Sequence, residues 1–295
     1  MNSFKPEDST KRPSYEHVAP TAKIVAYMRT FSDIPYSKEI SRMTKSDDLV
    51  ANKYGDQRED FQKGSAVVEA RFKAVSLLID KAGLQNILEL ASGISPRGLI
   101  MTEDPSVTYV ETDLPEMLHE KVDLAHDLLS AENMTRSNLH FLEVNALDDE
   151  QLRKAASLTK GGLIIAQEGL FIYMPRQDQK KVAQNVLGIL KDRGGVWITD
   201  VSLKSELRLH LDPKRDAMVG TLQKEINVSL HDNAFADDAA VKSFFESEGF
   251  SIEDKINLFE MKDSLVSPAR TSADLELSKS RLETRYIYLL RPTKA

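Results

Sequence analysis

The chain has no cysteine in its 295 residues. Disulfides, thiolate metal sites and cysteine nucleophiles are therefore excluded together. It also has no run near the roughly 18 consecutive apolar residues that a membrane-spanning helix needs, and the opening MNSFKPEDSTKRPS is too polar for the apolar core of a secretory signal. Basic residues are in the minority, 39 against 46 acids for a formal charge of -7 at pH 7. That is the wrong sign for a general nucleic-acid binder, whose footprint is basic. The expectation is a cytoplasmic enzyme with no nucleic-acid or membrane partner and no metal. Its 13 glycines never form G-x-G-x-x-G, the turn that holds a dinucleotide pyrophosphate on a helix N-terminus. With 41% hydrophobic residues the chain can bury one large core, or a core with an inserted lid. There is no internal repeat and no low-complexity tract.

The most informative run present is ILELASGISPRG, Ile87 to Gly98. Ile87, Leu88 and Leu90 read as a buried parallel strand, with Glu89 near its C-terminal end. Ala91, Ser92 and Gly93 then let the backbone pass close to a ligand. Pro96 and Arg97 stand where a diphosphate would need free N–H groups, so the loop suits a nucleoside cofactor without phosphates, such as S-adenosylmethionine, better than NAD. Taken alone, the run is also compatible with a strand and an ordinary glycine turn. Four further units repeat the pattern. VTYVETDLPEML puts Glu111 and Asp113 at a strand end, where a carboxylate grips ribose hydroxyls. LHFLEVNAL ends at Asn145, whose amide could meet an adenine edge. GGLIIAQEGLFIYMP ends its strand at Glu168, and GGVWITDVS at Asp200. Polar residues at the C-terminal ends of successive strands are where ligands of open α/β sheets bind, although each acid taken singly could be a surface charge.

In this order the motifs resemble the class I S-adenosylmethionine-dependent methyltransferases, and within them the leucine carboxyl methyltransferase family with its bacterial O-methyltransferase relatives. The resembling stretch runs from Pro20 to Asp200. TAKIVAYMR (Thr21 to Arg29) is similar to the family's N-terminal helix, and KGSAVVEARFKAV (Lys63 to Val75) to its arginine-bearing helix. ELASGISPRG resembles its glycine loop, ETDLPEMLHEK its ribose strand, and QEGLFIYMP its Glu-x-x-x-x-Tyr-Met/Leu signature. The resemblance implies Arg71 and Lys23 at the cofactor carboxylate, and Gly93, with Glu89 and Ala91 beside it, along the cofactor backbone. It further implies Asp113 or Glu111 on the ribose, Asn145 and Ala146 at the adenine, and Glu168 near the sulfonium and amino group. Where the family often has Asp-Leu, this chain has Asn145-Ala146; an amide oxygen can still accept from the adenine amine.

The expected fold is α/β, a Rossmann-like class I methyltransferase sheet, mostly parallel with an antiparallel last strand. Residues 1–84 form an N-terminal helical cap, frayed up to about Tyr15, with Ile24, Tyr27, Met28 and Phe31, then Val67, Val68, Phe72, Val75 and Leu78, at helical spacing. Residues 85–200 form the cofactor-binding core, with a helix at Asp178 to Lys191, and 201–240 a lid. Residues 241–295 bring a helix ending at Gly249, then strands at Ile252–Phe259 and Arg285–Leu290 around a partly helical excursion. Methyl transfer is an in-line displacement governed by approach geometry and exclusion of water. A carboxylate acceptor needs no base and would use a cation, for which Arg29 and Arg208 are candidates. A hydroxyl acceptor would profit from a base, for which Tyr173, His210 and His231 are candidates. Each of these five has a plain reading as packing or surface. A small-molecule acceptor is expected, and the alternatives are an NAD-dependent oxidoreductase or a non-catalytic nucleoside binder. The sequence does not indicate an oligomeric state.

Overall fold

A computed structural model describes residues 19–55, 58–207, 229–271 and 275–293. His210, Arg208, the N-terminal residues expected to fray and most of the expected lid lie outside them. Seven strands form one sheet: β1 (Asn86–Leu90), β2 (Thr108–Asp113), β3 (Leu139–Glu143), β4 (Leu163–Gln167), β5 (Gly195–Asp200), β6 (Phe250–Asn257) and β7 (Tyr286–Pro292). Their order is β3-β2-β1-β4-β5-β7-β6. β1 to β5 are mutually parallel, and β7 runs antiparallel between β5 and β6. This is the expected Rossmann-like α/β sheet, mostly parallel with antiparallel last strands. Its last two strands differ from their predicted bounds by up to two residues.

Strand alternation sorts the core into two layers. Ile87, Ile164, Val196, Ile198, Ile287 and Leu289 pack on one face with Val75, Leu78 and Ile79 of helix α4 (Arg58–Ala82). Leu88, Ile165, Trp197, Tyr288 and Leu290 pack on the other. There they meet Leu152 of α7 (Asp149–Ala156) and Val182, Val186 and Ile189 of α8 (Arg176–Arg193). Neighbouring positions on one strand point to opposite faces, so apolar residues at both parities require helices on both sides. The expected helical stretch before the sheet divides into α1 (Ala19–Arg29), α2 (Ser37–Met43), α3 (Ser46–Lys53) and α4. The helix Asp238–Ser247 is capped by the Asp237 side chain accepting from the Ala240 N–H at 2.8 Å. Gly249, at φ 87°, takes the left-handed turn that follows it.

The parallel register places Glu89 of β1 directly beside Glu111 of β2, both buried. Two like charges this close require a cation each. Arg97, on the short helix α5 (Arg97–Met101), pairs with Glu89, which also accepts from the Tyr109 hydroxyl at 2.9 Å. Lys121, on α6 (Pro115–Ala131), reaches Glu111 at 2.6 Å and also donates to the Ser95 carbonyl. Burial pushes the Glu111 carboxyl up against the pull of Lys121. Both carboxylates, expected at the cofactor, are therefore internal. They sit within the strand ladder, and their cations come from beneath the loop rather than from a ligand.

Gly98 lies against this pair so closely that a Cβ there would overlap the Glu111 carboxylate and come within 2.9 Å of Leu139 Cδ1. Because Lys121 fixes Glu111, the overlap cannot be relieved by a rotamer change. Gly98→Ala is expected to destabilise the fold by about 1–3 kcal/mol, measured by urea unfolding. A variant as stable as the parent would contradict this packing.

Candidate functional site

At the C-terminal ends of β1, β2 and β4, roofed by α1 and α4, lies a cavity of about 390 Å³. This is within the range of small-molecule sites, about 300–1,000 Å³. Arg71, Ala91, Gly93, Asp113, Asn145, Ala146, Glu168 and Tyr173 all line it. These residues are scattered over a hundred positions of sequence and meet because every strand of the parallel set ends on the same edge.

The loop after β1 turns through left-handed conformations at Ala91 (φ 50°) and Gly93 (φ 53°). For alanine this is an uncommon conformation that costs energy; for glycine it is free. Asp113 holds the turn: its Oδ2 accepts from the Gly93 N–H at 2.7 Å and its Oδ1 from the Leu114 N–H at 2.8 Å. Each oxygen keeps a further lone pair for a ligand. Burial nevertheless pushes the Asp113 carboxyl up, with those two N–H groups opposing. Asn145 is partly committed, its Oδ1 accepting from the Leu147 N–H at 3.0 Å.

At the other end three arginines converge on one carboxylate. Glu168 Oε1 accepts from Arg71 Nε at 2.9 Å and Arg29 Nη2 at 3.2 Å, and Oε2 from Arg97 Nη2 at 2.6 Å. Burial alone would raise the Glu168 carboxyl, but Arg71, Arg97 and Arg29 together hold it well below the usual carboxylate range. Burial likewise pulls Arg71 down, and Glu168 and Asp200 reverse it, so its guanidinium is held more firmly protonated. Arg29 is lowered, because burial and the neighbouring arginines outweigh Glu168. Its Nε is buried with no hydrogen-bond partner among the described residues. Asp200 receives Arg71 Nη1 at 3.5 Å and the Gly169 N–H at 2.7 Å.

Besides Glu89 and Glu111, two further expected residues fall elsewhere. Lys23 is on the outer side of α1, paired with Glu120 at 2.8 Å, and does not line the cavity, whereas its neighbours Ala22 and Ile24 do. Helical geometry turns adjacent residues by about 100°, so one face of α1 cannot carry all three. His231, expected as a base, sits on the short helix Leu230–Asn233, exposed beside Asp232 at 3.7 Å and away from the cavity. Tyr173 does line the cavity, but burial raises its phenol above the ordinary value despite Thr21 and Arg71. It is a neutral hydrogen-bond donor at neutral pH rather than a base. Arg97 and Lys121 were missed as structural cations. Their signal was a basic residue on an apolar stripe, as Lys121 lies between Met117, Leu118 and Leu124, Ala125.

No protein-family model matches the chain, and no curated protein matches it. Among solved structures it is similar to the magnesium protoporphyrin IX methyltransferase of Synechocystis PCC 6803, with bound SAH: 13% identity, TM-score 0.48, over 83% of this chain and 97% of that one. It is similar also to the mitomycin 7-O-methyltransferase MmcR (12%, TM-score 0.46, 95% and 74%). A third is an O-methyltransferase family protein of Burkholderia thailandensis (13%, TM-score 0.46, 92% and 72%). At these identities and scores the likenesses say nothing of this chain's own chemistry.

A carboxylate whose folded pKa is lowered contributes stability above its unfolded pKa and loses it as pH falls. Glu168 is such a group, so its contribution is complete at neutral pH and fades below about pH 5. Glu168→Gln would leave three buried guanidinium groups short of a counter-charge, and is expected to cost about 3–5 kcal/mol at pH 7. Its stability should also fall less than the parent's as pH is lowered. Urea unfolding at pH 7 and pH 4 checks both; equal stability at pH 7 would contradict the clamp.

Proposed function

We propose that the chain is an S-adenosylmethionine-dependent O-methyltransferase acting on a small-molecule acceptor, related to the leucine carboxyl methyltransferases. The observation that carries this reading is Asp113. It is a carboxylate at the end of β2, fixed by two backbone N–H groups and still able to accept from a vicinal diol. Around it the cavity has the shape of a nucleoside site: Gly93 gives close backbone approach on one side, and Asn145 and Ala146 form an edge for a base on the other. The far end offers Arg71 and Arg29 to a carboxylate, and the unpaired Arg29 Nε is a donor awaiting one. S-adenosylmethionine, when bound, supplies the methyl group on a sulfonium.

The residues of the chain position the reactants and keep water out. Glu168 is ionised but enclosed by its three arginines, and so holds those arginines in place rather than serving as a base. Tyr173 can donate a hydrogen bond to an acceptor oxygen. An acceptor that arrives ionised, as a carboxylate or an acidic phenol does, needs nothing more from the protein.

The loop gives little support to the NAD-dependent alternative. The N–H of Gly93 is spent on Asp113, that of Ser92 on the Thr112 carbonyl at 3.0 Å, and that of Ser95 on the Ser92 carbonyl at 3.1 Å. A pyrophosphate would find no row of free donors there.

Calorimetric titration should therefore give micromolar binding of S-adenosylhomocysteine and none of NAD. Asp113→Ala should weaken the former by about 1–3 kcal/mol, roughly six- to 150-fold. Binding of NAD alone, or an Asp113→Ala variant with the parent's affinity, would contradict this reading.

A further inference from the structure

The cavity also runs along the contact between α1 and α4. Helix α4 lines it with Asp60, Phe61, Gly64, Val67, Val68 and Arg71, the spacing of one helical face. From Asp60 to Arg71 that face is about 16 Å long at 1.5 Å per residue. Ile24, Val25 and Met28 of α1 line the facing wall. Arg71, at the inner end, belongs to the Glu168 cluster. The outer end is marked by Asp60, and the wall between is apolar.

Asp60 differs from the other buried carboxylates of the cavity. Asp113 accepts two backbone N–H groups, and Glu168 three guanidinium groups. Asp60 is only 9% exposed, yet no hydrogen bond or ion pair to it occurs among the described residues. The cations that line the cavity have other partners: Arg29 and Arg71 hold Glu168, Arg285 holds Glu206 at 2.8 Å, and Arg281 has an interaction of its own. A buried carboxylate without a partner is costly. One at the end of an apolar slot is well suited to a ligand's cation, since a charge-assisted hydrogen bond is about twice as strong as a neutral one.

We infer that the α1–α4 slot binds an apolar molecule bearing a protonated amine, with the ammonium on Asp60 and the apolar body running inward past Val67 and Val68. That this molecule is the methyl acceptor rests on the proposed methyl transfer; that it binds does not. In that case the amine lies at the end remote from the reacting oxygen, and Asp60 sets specificity without touching the chemistry.

The test uses three matched probes, 4-phenylbutylamine, 4-phenylbutanol and 4-phenylbutyrate, titrated calorimetrically into the full chain with and without S-adenosylhomocysteine. The amine should bind at least tenfold more tightly than the butyrate. Asp60→Asn should abolish that preference and Asp60→Glu retain it. Val68→Trp, which fills the slot midway, should remove amine binding with Asp60 intact, so the test stands even if Asp60→Asn fails to fold. Equal binding of amine and butyrate, no amine binding, or a preference surviving in Asp60→Asn or Val68→Trp would overturn the inference. An intact amine preference without S-adenosylhomocysteine binding would uphold the slot and remove the methyl-transfer reading.

Discussion

The cavity depends on one carboxylate. Glu168 follows β4, and its three arginines come from α1, α4 and α5. Helices α1 and α4, the second of which also packs on the sheet face, thereby meet the strand edge at Glu168. Through Arg97 the cluster continues to Glu89, next to the last residue of β1, and through Arg71 to Asp200 at the end of β5. Such a network is a weak source of net stability, because desolvating six charges offsets most of what their attraction returns. Its effect is on arrangement. Any displacement of α1 or α4 from the sheet would strand a guanidinium in an apolar surrounding, so the roof of the cavity has one low-energy position.

That constraint explains why the site is polar at one end and apolar along its length. The charges are gathered beneath the loop and at Glu168, where they satisfy one another. The helix faces beyond them are free to be Ile24, Val25, Val67 and Val68. A second buried pair, Glu111 with Lys121, fixes the glycine loop from below through the Ser95 carbonyl. The loop is thus held by side chains on both sides of the sheet edge, and its N–H groups turn inward rather than towards a ligand.

Much of the sheet was legible because parallel strands buried on both faces read as short continuous apolar runs ending in a polar residue. LIIAQ and GVWITD have that form, TYVETD ends in an acid after a shorter apolar stretch, and NILEL ends at Leu90 just before the small-residue loop; each stands where expected. Of the polar residues expected at the site, Asp113, the last of its strand, does line the cavity. Glu89 and Glu111, one and two residues before the ends of their strands, do not line it, because a strand sequence does not say where the ladder ends. Their cations could not be assigned from sequence either. Lys121 and Arg97 reach their partners from helices whose rotation about their axes is set by tertiary packing. Lys23 and Lys121 show the difficulty together: both are lysines on helices beside the site, and only the second is on the buried face. Asp60 carried no sequence signal at all, since an acid in the first turn of a helix is the ordinary complement of the helix dipole.

The most direct test of the account is a crystal structure of the chain with S-adenosylhomocysteine. The account predicts the ribose hydroxyls on Asp113, the amino-acid carboxylate on Arg71 and Arg29, and Glu168 still held by its three arginines. A ligand seated elsewhere, or a ribose that does not touch Asp113, would contradict it.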